Sequence, residues 1–290
     1  MQHVRTAVIT AAGFATRFLP VSKSIPKVML PLIDRPVIQY AVEQARAADI
    51  DRIVVVASRG SAVIQDYFDR APELEQALEA RNSPYLAETR RVSELADIIL
   101  VRQREQLGLG HAVLTARQVV GDEPFVVYLP DEVILGEPSA TAQLLRVYEE
   151  RGGAAIGVVE VPHEQVSRFG VVAGEPVSER ETRLTHVVEK PRVEEAPSNL
   201  AITGPYVLTP AVFDALERVK PGAGGEIQLT DAIAAVARQE PVFAYRYEGR
   251  RYDCGTPLGL LKAGVEAALE RGDLRAEVRE WLANLVARGE

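Results

Sequence analysis

Residues 4–20 read VRTAVITAAGFATRFLP. The β-branched run Val4–Thr10 predicts a short strand, and Ala11-Ala12-Gly13 predicts a tight loop at its end. Loops at the carboxyl ends of strands are where open α/β sheets bind ligands. Backbone N–H groups in such a loop can surround an anion, and Arg17 and Lys27 would add positive charge. A plain strand-to-helix turn with two surface cations fits the spacing equally well.

The pattern that continues outward from this loop is typical of an α/β fold. Strands are predicted at Ile53–Ala57, Ile98–Arg102 and Phe125–Leu129, and helices at Pro36–Ala48, Ala62–Phe68 and His111–Val119. Alternating strands and helices imply right-handed βαβ units, and therefore a parallel sheet with helices on both faces.

From Ala154 onward the pattern changes to a set of mixed or antiparallel strands. The runs AIGVVEV, FGVVA, LTHVVEK and LAITGPYVL resemble strands, and helices follow at Ile227–Arg238 and Leu258–Glu270. We find no internal repeat and no low-complexity linker, so both portions are expected in one compact body with a soft boundary near Gly152-Gly153.

Composition limits the class of protein. The 290 residues include 33 Lys and Arg against 41 Asp and Glu, a net charge of −8, and 47% hydrophobic residues, as in ordinary soluble proteins. One cysteine, Cys254, excludes an internal disulfide. The acidic balance argues against a nucleic-acid-coating protein, although a local basic pocket can still bind phosphates. With no secretory signal and no apolar run of about 18 residues, we expect a cytoplasmic protein with no membrane partner.

Several familiar catalytic motifs do not occur in the sequence. There is no P-loop, and Gly108-Leu109-Gly110-His111 is only half of a dinucleotide fingerprint because Val113 replaces the third glycine. The four histidines have no metal-ligand spacing, and no G-x-S-x-G elbow occurs. Asp49-Ile50-Asp51 spells the D-x-D of some glycosyltransferases, but it precedes a strand and is interpreted as a solvated turn; His111 is interpreted as a helix-start residue.

Two carboxylates are candidate metal ligands. Asp131 follows the strand FVVYL, and Asp253 follows a second strand-like stretch, so both are expected near the first loop. Hard oxygen ligands suit Mg²⁺. Each aspartate alone is more commonly a helix cap or turn former; their combination with a phosphate loop favours the metal site.

Glu189 and Lys190 place an acid beside a base near a strand end. Because adjacent strand residues face opposite sides, we do not expect them to pair with each other. A sugar hydroxyl or a phosphate can recruit them, and an exposed, charged strand end is an equally ordinary interpretation.

Together these motifs closely resemble the bacterial sugar-nucleotide pyrophosphorylases. The resemblance covers about Val4 to Trp281 and is carried by AAGFATRFLP, PKVMLP, RPVIQYAVEQA, EQLGLGHAV, DEPFVVYLPDE, FGVV, VVEKP, APSNLAITGPYVL, GAGGEIQLTDAI and YDCGTPLG. The stretches LGLGHAV, APSNLAI and GEIQLTDAI favour the uridylyl-transferring members over thymidylyl- and cytidylyl-transferring ones.

The resemblance implies a fold and a reaction. The fold is the three-layer α/β/α nucleotide-diphospho-sugar transferase fold, with a mainly parallel central sheet and an added mixed strand set. It forms one domain, 1–290, with a nucleotide-binding part (1–152) and a sugar-phosphate-binding part (153–290). The reaction is Mg²⁺-dependent in-line attack of glucose 1-phosphate on the α-phosphorus of UTP, which yields UDP-glucose and pyrophosphate. Homodimers or homotetramers are typical of the family.

The resemblance also implies roles for particular residues. The nucleotide is contacted by Ala12 and Gly13 through their backbone and by Gln103 and Gly108 at the uracil. The triphosphate is held by Arg17 and Lys27, and Mg²⁺ by Asp131 and Asp253. Glucose 1-phosphate meets Gly170, Glu189 and Lys190, with Lys190 on the phosphate.

Three positions depart from the family pattern. Ala15 replaces the second glycine of the loop, Val28 replaces an acidic residue beside Lys27, and Pro205 replaces an arginine. If the loop needs a positive φ at Ala15, a strain of about 1–2 kcal/mol follows. Two alternatives therefore stay open: the same chemistry on another nucleotide or sugar 1-phosphate, and a regulatory paralogue of low activity.

Overall fold

The first strand, β1 (Thr6–Ala11), lies between two parallel neighbours and is third from one edge of the main sheet. Its alternate side chains enter different cores: Ala7 and Ile9 pack on one face and Val8 on the other. A strand buried on both faces carries apolar residues in succession, which explains the run Ala7-Val8-Ile9 at its middle.

The computed structural model describes residues 2–222 and 225–289. Ala223 and Gly224, which belong to the GAGGEIQLTDAI motif, lie outside the described residues. The remaining strands are β2 (Pro31–Leu32), β3 (Arg35–Pro36), β4 (Arg52–Ala57), β5 (Asp97–Arg102), β6 (Phe125–Tyr128), β7 (Glu132–Leu135), β8 (Ala154–Glu160), β9 (Gly170–Pro176), β10 (Glu181–Glu189), β11 (Leu200–Leu208), β12 (Val242–Arg246) and β13 (Arg250–Asp253).

The α-helices of the described residues are α1 (Val37–Ala47), α2 (Ala62–Phe68), α3 (Pro72–Ala80), α4 (Tyr85–Ser93), α5 (Leu109–Thr115), α6 (Arg117–Val120), α7 (Ala140–Arg151), α8 (Ala211–Arg218), α9 (Leu229–Val236), α10 (Pro257–Glu270) and α11 (Arg275–Ala287). Among them, none is both long enough and apolar enough to cross a membrane.

The main sheet has the order β5-β4-β1-β6-β11-β8-β12-β10-β9 in the described part of the chain. Its first four strands are parallel, and β8 and β12 are parallel to each other. Only β11 and β10 run against the common direction. The expectation of a mainly parallel sheet with an added mixed set is therefore confirmed.

Helices cover both faces of this sheet. One core packs α1 and α7 on the sheet through Ile38, Val42 and Leu144. The other packs α5, α8 and α9 on the opposite face through Val113 and Phe213. The three-layer α/β/α architecture follows from these two cores.

The predicted elements differ from the observed ones in several places. The helix expected at His111–Val119 is two helices, α5 and α6, with Ala116 between them. The patterns above do not predict α3, α4, α7, α8 or α11. Helix α7 has a clear start signal, since the Ser139 hydroxyl accepts a hydrogen bond from the Ala142 amide at 3.2 Å.

The sheet is continuous across the predicted boundary near residue 152, because β6 pairs with β11. At the boundary itself, Gly152 ends α7 with φ 75°. The division into two parts stays a prediction about ligand binding.

A register shift in β11 surrounds Pro205, one of the residues that depart from the family pattern. The ladder with β8 is interrupted between Ile202 and Tyr206. Pro205 has no N–H, so it cannot donate a ladder hydrogen bond. Opposite this shift lies Gly157, where a Cβ would come 2.4 Å from the Gly204 carbonyl oxygen.

The Gly157→Ala variant should therefore lose about 2 kcal/mol of unfolding free energy, because the added methyl meets backbone that has no room to move. Urea unfolding followed by circular dichroism measures this loss. Gly272→Ala is the matched control, since its Cβ would meet no atom within 4 Å; equal stability of both variants would contradict the packing described.

Candidate active site

The loop after β1 turns back on itself at Ala15. Ala15 has φ 53° and ψ 40°, a left-handed conformation that L-residues other than glycine adopt at a cost. Two hydrogen bonds hold it there: its carbonyl oxygen accepts from the Phe18 amide and the Ser22 hydroxyl, each at 2.9 Å. The positive φ expected from the family pattern is therefore present, with alanine in place of glycine.

The two candidate metal ligands are brought together by a small antiparallel ladder. Strands β7 and β13 pair with each other, and Asp253 lies opposite Glu132 in the register. The Cys254 amide also donates to the Asp131 carbonyl oxygen at 2.8 Å. Asp131 immediately precedes β7, so both aspartates lie at the same end of the ladder.

Their carboxylates face one point. A Cβ placed on Gly255 would lie 2.6 Å from Asp131 Oδ2 and 2.9 Å from Asp253 Oδ1. Lys27 Nζ donates to the same Asp131 Oδ2 at 2.7 Å. The described residues contain no cluster of three or more His, Cys, Asp or Glu that could hold a metal. Two converging carboxylates fit a hard divalent cation whose remaining ligands come from substrate phosphates and water.

The electrostatic surroundings of this point are strongly negative. Burial, with smaller contributions from Asp131 and Asp253, raises the pKa of Glu132 to about 7, although Arg251 favours its charged form. Arg251 donates to both Glu132 oxygens, at 2.6 and 2.7 Å. Lys27 at Asp131 and Arg251 at Glu132 each offset the charge of one of these carboxylates.

Three cavities surround this centre. The outer cavity, about 330 Å³, is lined by Arg17, Arg168, Gly170, Glu189, Lys190 and Thr230. The central cavity, about 370 Å³, is lined by Ala12, Gly13, Lys27, Gln103 and Gly108. The basic cavity, about 450 Å³, is lined by Lys23, Arg59, Arg102 and Arg104. Asp131 lines both the outer and the central cavity.

Gln103 and Gly108 both line the central cavity. The buried Gln103 Nε2 donates to the Gly108 carbonyl oxygen at 3.2 Å and lies 2.9 Å from His111 Nδ1. Gly108 has φ 96°, and a Cβ there would come 2.8 Å from Glu226 Cβ, so only glycine fits. The Gln103 Oε1 atom stays available as an acceptor.

Gly170, Glu189 and Lys190 meet in the outer cavity, but the expectation that the last two do not pair is wrong. Lys190 Nζ lies 3.1 Å from Glu189 Oε1. The physical reason is that β10 ends at Glu189 and Lys190 has φ 44°, so strand alternation no longer applies. Gly170 lies opposite Glu189 in the ladder, and the Thr230 hydroxyl donates to Glu189 Oε2 at 2.9 Å.

Four further residues singled out from the sequence are Arg17, Lys27, Asp49 and Asp51. Arg17 is exposed and lines the outer cavity with Lys190, whereas Lys27 lines the central cavity. The two cations therefore line different cavities, although the family resemblance assigns both to the triphosphate. Asp49, with φ 58°, and Asp51, which pairs with Arg5 at 2.6 Å, form the expected exposed turn.

Sequence reasoning missed three residues that line the cavities. Thr230 and Arg168 line the outer cavity, and Arg168 Nη2 lies 3.9 Å from Asp253 Oδ2. Gln106 lines the central cavity and donates to the Ala12 carbonyl oxygen at 2.7 Å. Thr230 and Gln106 had a signal, because they belong to the GEIQLTDAI and EQLGLGHAV motifs, whereas Arg168 lies outside the quoted motifs.

The fold and this site define a class of enzyme: an α/β protein with a loop, two carboxylates and several cations arranged around a phosphate-sized space. The family described as nucleotidyl transferase matches residues 6–269 of the chain. The chain belongs to this nucleotidyl transferase family.

Curated relatives make the likeness more specific. A UTP–glucose-1-phosphate uridylyltransferase from Staphylococcus haemolyticus is 46% identical over 286 residues, covering 98% of this chain and 99% of that protein. UTP–glucose-1-phosphate uridylyltransferase 2 from Staphylococcus saprophyticus has the same identity and coverage.

Solved structures agree with this likeness. A UDP-glucose pyrophosphorylase in complex with UDP-glucose superposes with a TM-score of 0.85 at 39% identity, covering 93% of this chain and all of that one. A UTP-bound UGPase from Acinetobacter baumannii gives a TM-score of 0.88 at 38% identity, covering 98% of this chain and all of that one.

The left-handed conformation of Ala15 is held by contacts within the loop, from the Phe18 amide and the Ser22 hydroxyl, so its strain should affect stability more than turnover. Ala15→Gly removes about 1–2 kcal/mol of strain and adds about 0.4–1 kcal/mol of unfolded-state entropy, so the variant should be more stable by roughly 0.5–1 kcal/mol. Urea unfolding measures the gain, and kcat should change less than about twofold. A large rise in kcat would instead favour the low-activity paralogue.

Proposed function

We propose that this chain transfers a uridylyl group from UTP to glucose 1-phosphate and releases pyrophosphate. The observation that carries the proposal is the convergence of Lys27, Asp131 and Asp253 between the central and the outer cavity. Similarity over 98% of the chain, at 46% identity, to proteins named UTP–glucose-1-phosphate uridylyltransferase supports it.

The central cavity is proposed as the nucleotide site. Ala12 and Gly13 meet the nucleotide through backbone groups, and an added Cβ on Gly13 would meet no protein atom within 4 Å, so its open side faces the cavity. Gln103 Oε1 accepts a hydrogen bond from the uracil N3–H, because Gln103 Nε2 already donates to Gly108.

The outer cavity is proposed as the glucose 1-phosphate site. Lys190 and Arg17 provide positive charge for the sugar phosphate, and the Glu189 carboxylate accepts hydrogen bonds from sugar hydroxyls. Thr230 holds Glu189 in place, and only glycine fits at position 170 beside them, since a Cβ there would lie 2.6 Å from Thr230 Cγ2 and 3.2 Å from Glu189 Oε2.

Asp131 and Asp253 are proposed to hold one Mg²⁺. When bound, the cation neutralises charge on the phosphates and orients them for displacement. The two carboxylates provide hard oxygen ligands, and Lys27 is in place to move from Asp131 to an incoming phosphate.

No general base is required for the reaction. A phosphate monoester has a second pKa near ~6, so glucose 1-phosphate is already largely dianionic at neutral pH. The obstacle is repulsion between two anions, and the chain meets it with Lys27, Arg17 and Lys190, which position and neutralise the phosphates.

The same geometry supports the proposed division of the chain. Apart from Glu226, the residues of the central cavity precede residue 152, and apart from Arg17 the residues proposed to meet glucose 1-phosphate follow it. A cytoplasmic location and a homodimer or homotetramer stay predictions of the sequence.

Two alternative functions, the same chemistry on another nucleotide or sugar 1-phosphate and a regulatory paralogue of low activity, depend on Ala15, Val28 and Pro205. Val28 is 3% exposed and packs in the core beneath the loop, so a carboxylate there would be buried. Val28 is therefore a packing residue in this chain, which weakens the argument that it reports lost activity.

Purified protein mixed with UTP, glucose 1-phosphate and Mg²⁺ should release pyrophosphate. The charged residues proposed for phosphate and cation binding are all present: Arg17, Lys27, Asp131, Lys190 and Asp253. Parallel reactions with dTTP, CTP and galactose 1-phosphate should be slower. Absence of release with UTP over a range of enzyme concentrations, or faster release with another pair, would contradict the proposal.

Asp253→Asn should lower kcat/KM by about 10²-fold or more, since it removes one charged ligand of the cation and with it several kcal/mol of charge stabilisation. Pyrophosphate release measured against Mg²⁺ concentration checks this. Asp97→Asn, at the amino end of β5, is the control and should keep full activity. Wild-type kinetics in Asp253→Asn would exclude the proposed ligand.

A further inference from the structure

His111 has no role in the function described so far. It lies in the first turn of α5, where the sequence predicted only a helix-start residue, and it lines none of the three cavities. Its imidazole nevertheless contacts a residue of the central cavity, because Nδ1 lies 2.9 Å from Nε2 of the buried Gln103. Since Gln103 is proposed to read the base, the way in which its amide is held decides what it reads.

The hydrogen bonds around Gln103 fix the orientation of its amide. One atom of the amide lies 3.2 Å from the Gly108 carbonyl oxygen. A carbonyl oxygen can only accept, so this atom is the nitrogen, Nε2, and not the oxygen. The second hydrogen on Nε2 then points to His111, whose Nδ1 must be the unprotonated, accepting nitrogen of the ring. Gln103 Oε1 receives no hydrogen bond from a described residue and stays free for a ligand.

His111 is the closer of the two partners that hold this orientation. The Gly108 carbonyl oxygen also accepts from the Ala112 amide, at 3.1 Å, so the glutamine shares it with the backbone of α5. The position of the imidazole is fixed in turn by the start of α5. The Gly110 amide donates to the Ile227 carbonyl oxygen at 2.8 Å, and a Cβ on Gly110 would come 2.7 Å from the same oxygen.

The orientation of an amide at this place distinguishes uracil from cytosine. Uracil carries a hydrogen on N3 and donates it, whereas N3 of cytosine has no hydrogen and offers a lone pair. An amide oxygen accepts from the first base and repels the second, and an amide NH2 group does the opposite. A site that hydrogen-bonds one ligand through buried polar groups rejects a ligand that leaves those groups unpaired.

We propose that His111 is a positioning residue for the choice of nucleotide. It accepts the second amide hydrogen of Gln103 and thereby presents Gln103 Oε1 to the base, which selects uracil and excludes cytosine. This inference rests on the function proposed above, because it takes the central cavity as the nucleotide site. His111 touches no substrate and acts only through Gln103.

The variants His111→Leu and His111→Asn test this role. Leucine has no acceptor, so one buried amide hydrogen of Gln103 loses its partner and the amide is free to reverse. UTP should then bind about tenfold more weakly, whereas CTP should bind no more weakly than it does to the wild type. Asparagine carries its side-chain oxygen two bonds beyond Cβ, as histidine carries Nδ1, so His111→Asn should keep UTP affinity within about threefold.

Calorimetry with UTP and Mg²⁺, and displacement of UTP by CTP, measure both affinities without turnover. His186→Leu changes an exposed histidine of β10 and is the control, which should bind both nucleotides like the wild type. Circular dichroism confirms that the variants fold. Because no reaction is needed, absence of pyrophosphate release counts against the proposed function, and an unchanged ratio of the two affinities counts against this inference.

The ratio of UTP to CTP affinity decides the outcome. A fall in this ratio in His111→Leu, restored in His111→Asn, supports the inference. Equal weakening of both nucleotides in His111→Leu would mean that the histidine only stabilises α5, and this result overturns the inference. A wild-type ratio in the folded His111→Leu variant, or equal affinity of the wild type for UTP and CTP, overturns it as well.

Discussion

The pairing of β7 with β13 is the interaction on which the site depends. It is a ladder of four residue pairs, Arg250 with Leu135 through Asp253 with Glu132, closed by the Cys254 amide on the Asp131 carbonyl oxygen at 2.8 Å. Without it, the two aspartates would lie on separate segments of chain with no reason to meet. With it, their oxygens converge on one point and Lys27 reaches that point from the first loop.

The charged side chains of the site are arranged with carboxylates at the centre and cations around them. The centre is a cluster of carboxylates, Asp131, Asp253 and Glu132, in which burial raises the pKa of Glu132 to about 7. Around it lie cations: Arg17 and Lys190 on one side, and the four basic side chains of the basic cavity on the other. The carboxylates are thus flanked by cations from both sides of the loop after β1.

Local sequence patterns predicted the parallel half of the fold well and the non-local contacts poorly. Apolar β-branched runs such as Ile53–Ala57 report burial on both faces of a sheet, and β4 begins only one residue earlier. Helix α7 was missed although Ser139 caps it, because its apolar residues are interrupted by Gln143 and Arg146. Pairing of β7 with β13 leaves no local signal, so the shared ligand of Asp131 and Asp253 was predicted only from their positions after strand-like stretches near a phosphate loop and from the family resemblance. The Glu189–Lys190 contact was wrongly excluded because strand alternation was extended one residue too far.

The basic cavity was not predicted, since its cations come from three separate segments of the chain.

The most direct test of the shared cation is binding of Mn²⁺, a spectroscopic substitute for Mg²⁺, measured by electron paramagnetic resonance in the presence of UTP. The structure predicts about one UTP-dependent ion per chain for the wild-type protein. In Asp131→Asn combined with Asp253→Asn, that ion should be lost while the circular dichroism spectrum is unchanged. Retention of the ion with wild-type affinity in the folded double variant would contradict the account, because it would place the cation elsewhere.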